Sequence, residues 1–156
     1  MDSDALRKRT DKIVEILEAD ERLDDGMQGD VHVHKGNPLN KIQPYSGHHV
    51  FVEWDGSPTI KNRRYNAGAR QDHQMSCAIY WLVSDYAEEE AAVNAFETLA
   101  ANILRVMSDD ENLQLSEHWH NLEIQRGGGE MVATAEHTYW RIGRWFFTAK
   151  FTERIN

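Results

Sequence analysis

A single cysteine, Cys77, stands in a chain of 156 residues, so no intrachain disulfide can take the place of a packed core. Its neighbours are apolar, which suits a core position rather than a reactive thiolate. Long apolar runs are also missing. Nothing approaches the roughly 18 consecutive apolar residues of a membrane-spanning helix, and the start of the chain shows no apolar signal region. The expectation is a soluble protein with no membrane partner, made in a reducing cytoplasm. Positive charge is scarce as well: 17 Lys and Arg face 26 Asp and Glu, for a formal net charge of -9. That balance disfavours nonspecific binding to nucleic acid or anionic membranes, while leaving room for a local basic surface.

Catalytic signatures are absent too. There is no HExxH, GxSxG, P-loop or dinucleotide fingerprint. Gly127-Gly128-Gly129 lacks the lysine and following helix of a phosphate cradle, so it reads as a turn. Asp72, His73 and Glu53 carry acid–base groups, but no spacing brings them together. The expectation is a non-enzyme with no cofactor. No repeat, linker or low-complexity tract divides the chain, which reads as one domain over residues 1–156.

What the chain does have is centred on residues 88–107. Ala92, Phe96, Leu99, Ile103 and Val106 are spaced 4, 3, 4 and 3 apart, one stripe of an α-helix. Glu88, Glu89 and Glu90 suit its positive end, and Ser84 or Asp85 suits its N-cap. A stripe of this kind needs a second layer to cover it. A first helix, capped by Asp2 or Ser3, is expected to reach Ala19, with Leu6, Ile13, Ile16 and Leu17 inward and Arg7, Lys8, Arg9, Lys12, Glu15 and Glu18 outward.

The remaining pattern is β. Val31-His32-Val33-His34 alternates, and so do residues 48–54, which Asp55-Gly56 should end. Residues 57–69, with Pro58 and Gly68, read as a long exposed loop. In residues 71–84, Met75, Cys77, Ile79, Trp81 and Val83 share one face, with Ser76, Ala78, Tyr80 and Leu82 on the other. The second half is apolar on both faces, as in a central strand covered twice, and a second subunit could supply the second cover. Residues 119–125 form another strand, residues 126–130 the turn of a hairpin, and residues 131–155 a long β segment with a bulge or bend at Gly143. The order is α-β-β-β-α-β-β: an α+β fold, with a mostly antiparallel sheet carrying two helices on one face.

Candidate sites are few. His32, His34, His48 and His49, with His118 and His120, supply imidazoles, and i,i+2 pairs share a strand face. No cysteine or carboxylate stands at ligand spacing beside them, so no metal is expected. The loop carries Lys61, Arg63 and Arg64, with Arg70 just beyond. Its cations suit a contact with acidic residues of another protein, and the acidic stretches at residues 18–30 and 109–111 could supply these in a neighbouring copy. Five Trp and five Tyr exceed what a small core needs. Trp54, Tyr65, Trp119 and Trp145 are candidate interface aromatics.

The succession "HHVFVEWDGSP", a charged loop, "RQDHQMSCAIYWLVS", "EEEAAVNAFETLAANILRVM" and a terminal "YWRIGRWFFTAKFTERI" resembles the tail terminator, or tail completion, proteins of tailed phages and prophages. The resemblance covers most of the chain as an ordered pattern. It implies a ring of identical subunits, often a hexamer, that caps the tail tube, stops its growth and joins it to the head. Expected partners are further copies of the chain, the tail tube protein and a head-closure or neck protein. DNA would pass through the ring without sequence-specific binding, and the protein would reside in the virion tail or neck. Carried over by position, residues 57–69 would project toward the tube, the lumen or the next subunit, and the first helix would lie toward the ring periphery. Lys61, Arg63, Arg64 and Arg70 would then supply subunit or lumen contacts. Alternatives are a head-closure or neck adaptor protein, and a non-viral α+β interaction domain.

Overall fold

The computed structural model describes residues 5–38, 46–64, 70–109, 119–127, 131–135 and 138–154. In chain order these form α1 (Ala5–Ala19), a 3-10 turn (Glu21–Asp24), β1 (Val31–Lys35), β2 (His48–Arg64), β3 (Arg70–Tyr86), α2 (Glu89–Asp109), β4 (Trp119–Gly127), β5 (Met131–Ala135) and β6 (Thr138–Arg154). The strands make one six-stranded sheet in the order β1-β2-β3-β6-β4, with β5 also on β6. β1 runs parallel to β2, and the pairs β2–β3, β3–β6, β4–β6 and β5–β6 are antiparallel. The fold is α+β, as the hydrophobic periods require.

Helix periodicity and strand alternation meet in one core. Val50 and Val52 of β2, Cys77, Ile79, Trp81 and Val83 of β3, and Phe147 of β6 face Ile13, Ile16 and Leu17 of α1 and Phe96, Leu99, Ile103 and Val106 of α2. Each such side chain contributes roughly 1.5–3 kcal/mol on burial. Arg9, expected at the water-facing side of α1, is instead buried at 8% exposure beside Thr10.

Gly143 holds a regular place in the ladder opposite Trp81, with no register shift around it, so the expected bulge is not there. The reason for a glycine is contact. A Cβ at this position would lie 2.5 Å from Trp81 Cζ2 and 2.7 Å from Phe96 Cζ. The backbone of β6 forms the floor on which these two rings pack.

Three other expectations change. The chain does not reverse between β4 and β5. Both run antiparallel to β6, on its far side from β3, along successive halves of it. The reversal into β6 comes after Ala135; Gly128 and Gly129 lie outside the described residues. Asp85 and Ser84 do not cap α2, which starts at Glu89. Asp85 has φ 69 and turns its carboxylate to Gly47 N at 3.0 Å and to the Ser46 hydroxyl, while Ser84 Oγ accepts from Gly47 N at 2.9 Å. Aspartate tolerates this left-handed conformation better than most residues, and these bonds hold it there.

The third change concerns residues 57–69. β2 continues to Arg64, and β3 already begins at Arg70, so most of the expected loop is strand. Gly56, Ser57 and Pro58 fall in a register shift between Asp55 and Thr59, and Lys61 falls in a second between Ile60 and Asn62. These interruptions break the alternation that a strand would show in sequence. Residues 65–69 lie outside the described residues.

Candidate interaction surface

Sheet pairing brings the basic residues together. β1 covers the outer edge of β2 only from His48 to Val52, so among the described residues Asp55–Arg64 is an edge segment. Proline and register shifts are tolerated there, and they discourage a foreign strand from pairing. Lys61 has no ladder partner, Arg63 stands opposite Gln71, and Arg64 stands opposite Arg70. Arg70 in turn stands opposite Arg154 of β6. Arg64, Arg70 and Arg154 thus form one cross-strand row. The sequence pointed to the first two through local charge density. Arg154 carries no such signal, because only the β3–β6 register brings it in.

The candidate aromatics occupy different settings. Trp54, opposite Cys77, continues the row of Val50 and Val52 yet is 43% exposed. Trp119 opens β4 opposite Phe151. Trp145 is partly buried against the core, stacked on Trp81 with ring centroids 5.4 Å apart. Tyr65 lies outside the described residues.

The sheet face away from the helices is closed by the chain itself around Phe51, Ala78 and Tyr80, all buried, with Phe146 packed on them. The Arg144 guanidinium lies 4.5 Å from the Phe146 ring centroid and 6.0 Å from that of Tyr80. Tyr80 donates its hydroxyl proton to Glu53 Oε1 at 3.2 Å, and Asn37 Nδ2 donates to the same oxygen at 3.0 Å. Burial raises the Tyr80 pKa, with Glu53 adding to the effect. No second subunit is needed to cover these residues.

The histidines pair with each other and with the backbone. His49 Nε2 lies 2.6 Å from the Ser46 carbonyl oxygen, and His49 Nδ1 lies 2.8 Å from His34 Nε2. A carbonyl only accepts, which places the proton of neutral His49 on Nε2 and makes His34 the donor to Nδ1. His48 Nε2 lies 2.6 Å from the Tyr86 hydroxyl, and burial lowers the His48 pKa, with the neighbouring His49 next in effect. Among the described residues, no group of three or more His, Cys, Asp or Glu is placed to hold a metal ion. His118 lies outside them.

Several residues of the acidic stretches are already engaged. Asp20 accepts from Arg22 N at 3.0 Å and from Arg22 Nη2 at 2.7 Å, and the hydrogen bond from Arg22 lowers its pKa. Arg22 also reaches Asp109, and Arg105 Nη2 donates to Asp25 Oδ2 at 2.7 Å. Buried Asn102 donates to the Leu23 and Asp25 carbonyls at 3.1 and 2.8 Å, fastening the 3-10 turn to α2. Glu88, Glu89 and Glu90, by contrast, are exposed at the end of β3 remote from Arg70.

The architecture defines an α+β protein with two helices on one face of a mixed six-stranded sheet, in which the far half of the long, bulged β2 is an edge among the described residues. A solved structure with a similar fold is a chain in the virion of a native gene transfer agent particle. The two are 21% identical with a TM-score of 0.55, over 97% of this chain and 100% of that one. No protein-family model matches the chain, and neither does any curated protein sequence.

Proposed function

We propose that this chain is a structural protein of a tailed-phage-like particle, acting as its tail terminator. Copies form a ring, with six the expected number, that caps the tail tube and joins it to a head-closure or neck protein. The observation that carries the reading is the end-to-end similarity in fold to a chain of the gene transfer agent virion. The ordered resemblance in sequence to tail completion proteins supports the same role. The work is assembly rather than catalysis, and the finished protein sits in the virion.

In this reading Lys61, Arg63, Arg64 and Arg70 contact the next subunit or line the lumen, and Trp54, Tyr65, Trp119 and Trp145 supply aromatic surface at interfaces. The guarded edge of β2 suits a part that must join neighbours without starting an open-ended sheet. Native mass spectrometry across concentration, followed by electron microscopy with purified tail tubes, tests the role. A closed oligomer seated on tube ends is the expected result. A protein that neither closes into an oligomer nor binds tubes overturns it, and a monomer that binds the neck alone moves it to the adaptor role.

A further inference from the structure

Like charges directly opposite each other across a strand pair are destabilising. The ladder nevertheless sets Arg64 opposite Arg70, and Arg70 opposite Arg154. The next row on the same face is Asn62, Asp72 and Thr152, and the row between them on the other face is Arg63, Gln71 and Glu153. With Lys61, the end of the sheet holds five cations against Asp72 and Glu153, in a chain whose net charge is -9. Three arginines in register at one end of the sheet suit an anionic partner. Forked guanidiniums are suited to carboxylates.

The partner is written in the same strand. β3 begins at Arg70 and ends at Tyr86, beside the exposed Glu88, Glu89 and Glu90, after about 50 Å of extended chain. β3 therefore has a basic cross-strand row at one end and three exposed glutamates beyond the other. Asp20, Asp25 and Asp109 are engaged by Arg22 and Arg105 of their own chain, whereas Glu88, Glu89 and Glu90 are three consecutive exposed carboxylates. We propose that the row Arg64–Arg70–Arg154 docks on the Glu88–Glu90 end of a second copy, joining copies head to tail. A contact between two different surfaces yields a ring when its rotation closes and a filament when it does not. The proposal thus gives the ring reading above its subunit contact, and it rests on that reading for closure alone. A protein partner is favoured over nucleic acid because the surplus of negative charge on the rest of the chain repels phosphate.

Charge exchange between two full-length variants tests it by sedimentation velocity and native mass spectrometry at low and high salt. One variant carries Arg70→Glu and Arg154→Glu; the other carries Glu88→Lys, Glu89→Lys and Glu90→Lys. The wild type should associate, and salt should weaken the association. Each variant alone should lose it, while circular dichroism shows both folded. Mixed together they should recover it, since each retains the pole the other lacks. Wild-type-like assembly by either folded variant alone, or a wild type monomeric at low salt, overturns the proposal. So does binding of duplex DNA that depends on Arg70 and Arg154 while self-association is unchanged. A ring indifferent to these charges sinks this contact and leaves the tail-terminator reading standing. Open chains that obey the charge exchange do the reverse.

Discussion

At the scale of single residues, Gly143 and His48 carry the clearest consequences. Gly143 sits under two rings that leave no room for a methyl group, with Trp81 and Phe96 centroids only 5.1 Å apart above it. Gly143→Ala must push those rings off their positions, and overpacking of this kind costs about 1–3 kcal/mol. Urea unfolding should show the loss. The double variant Gly143→Ala with Phe96→Leu should lose less than the sum of the two singles, because the shorter side chain vacates the space the methyl needs. Strict additivity would contradict the packing described. His48 is neutral in the fold because burial opposes its charge, which lowers its pKa from the ordinary 6.5. In the unfolded chain it takes up a proton near that value. As pH falls from 6.5 toward the lower native pKa, the unfolded state binds more protons and stability declines. Above 6.5 the group is neutral in both states and contributes no slope. Thermal unfolding of wild type and His48→Gln between pH 7.5 and about 5 should therefore converge as pH falls, with the wild type showing the steeper decline. Parallel profiles would show that His48 stays out of the titration.

At the scale of elements, the outer half of β2 behaves as a protected edge. Register shifts after Asp55 and Ile60, with Pro58 inside the first, interrupt a strand whose outer side has no neighbour among the described residues beyond Val52. Replacing Pro58 and Lys61 together by valine restores a flat, apolar edge with a free backbone donor at residue 58. Light scattering should then show growth to large, polydisperse aggregates where the wild type shows discrete species. An unchanged size distribution would mean that the edge is covered by other means. The same segment shows where sequence is readable and where it is not. The stripe of α2 and the alternation of β3 around Cys77, Ile79, Trp81 and Val83 could be read directly, because one residue's burial predicts its neighbours' at a fixed period. β2 beyond Asp55 could not be, because a bulge changes the period and imitates a loop. In sequence Gly143 suggests a bulge or bend, since nothing there reveals two rings arriving from β3 and α2. Of the arginine row, Arg64 and Arg70 were visible as local charge, whereas Arg154 enters only through strand register. The expected acidic partners at residues 18–30 and 109–111 could not be judged in advance either. Arg22 and Arg105 engage Asp20, Asp25 and Asp109 through contacts that join the 3-10 turn to α2.

At the scale of the whole molecule, the main question is whether a single copy holds its fold before it meets another. Obligate subunits leave core-like surface for a partner to bury, and they often have no stable folded monomer. Among the described residues, α1 and α2 bury Val50, Val52, Cys77, Ile79, Trp81, Val83 and Phe147 on one side of the sheet, and the opposite side holds Phe51, Ala78, Tyr80 and Leu82 at 7% exposure or less within one chain. Trp54 is the one large hydrophobic side chain that is exposed among the described residues, at 43%. Assembly through charged poles should therefore add to a fold that already exists. Calorimetry over a dilution series separates the two cases. While the protein is associated, each tenfold dilution removes about 1.4 kcal/mol of linkage stabilisation per contact. For a domain of this size that lowers Tm by about 3–6 °C. Once the copies have separated, Tm should become independent of concentration, with a cooperative transition and most of its enthalpy retained. High salt should bring on that plateau at higher protein concentration, because it screens the exposed poles and leaves the buried core untouched. A transition that vanishes on dilution would instead make assembly part of folding. The charged ends of β3 could not then be the main contact, since surface ion pairs supply too little energy to hold a core together.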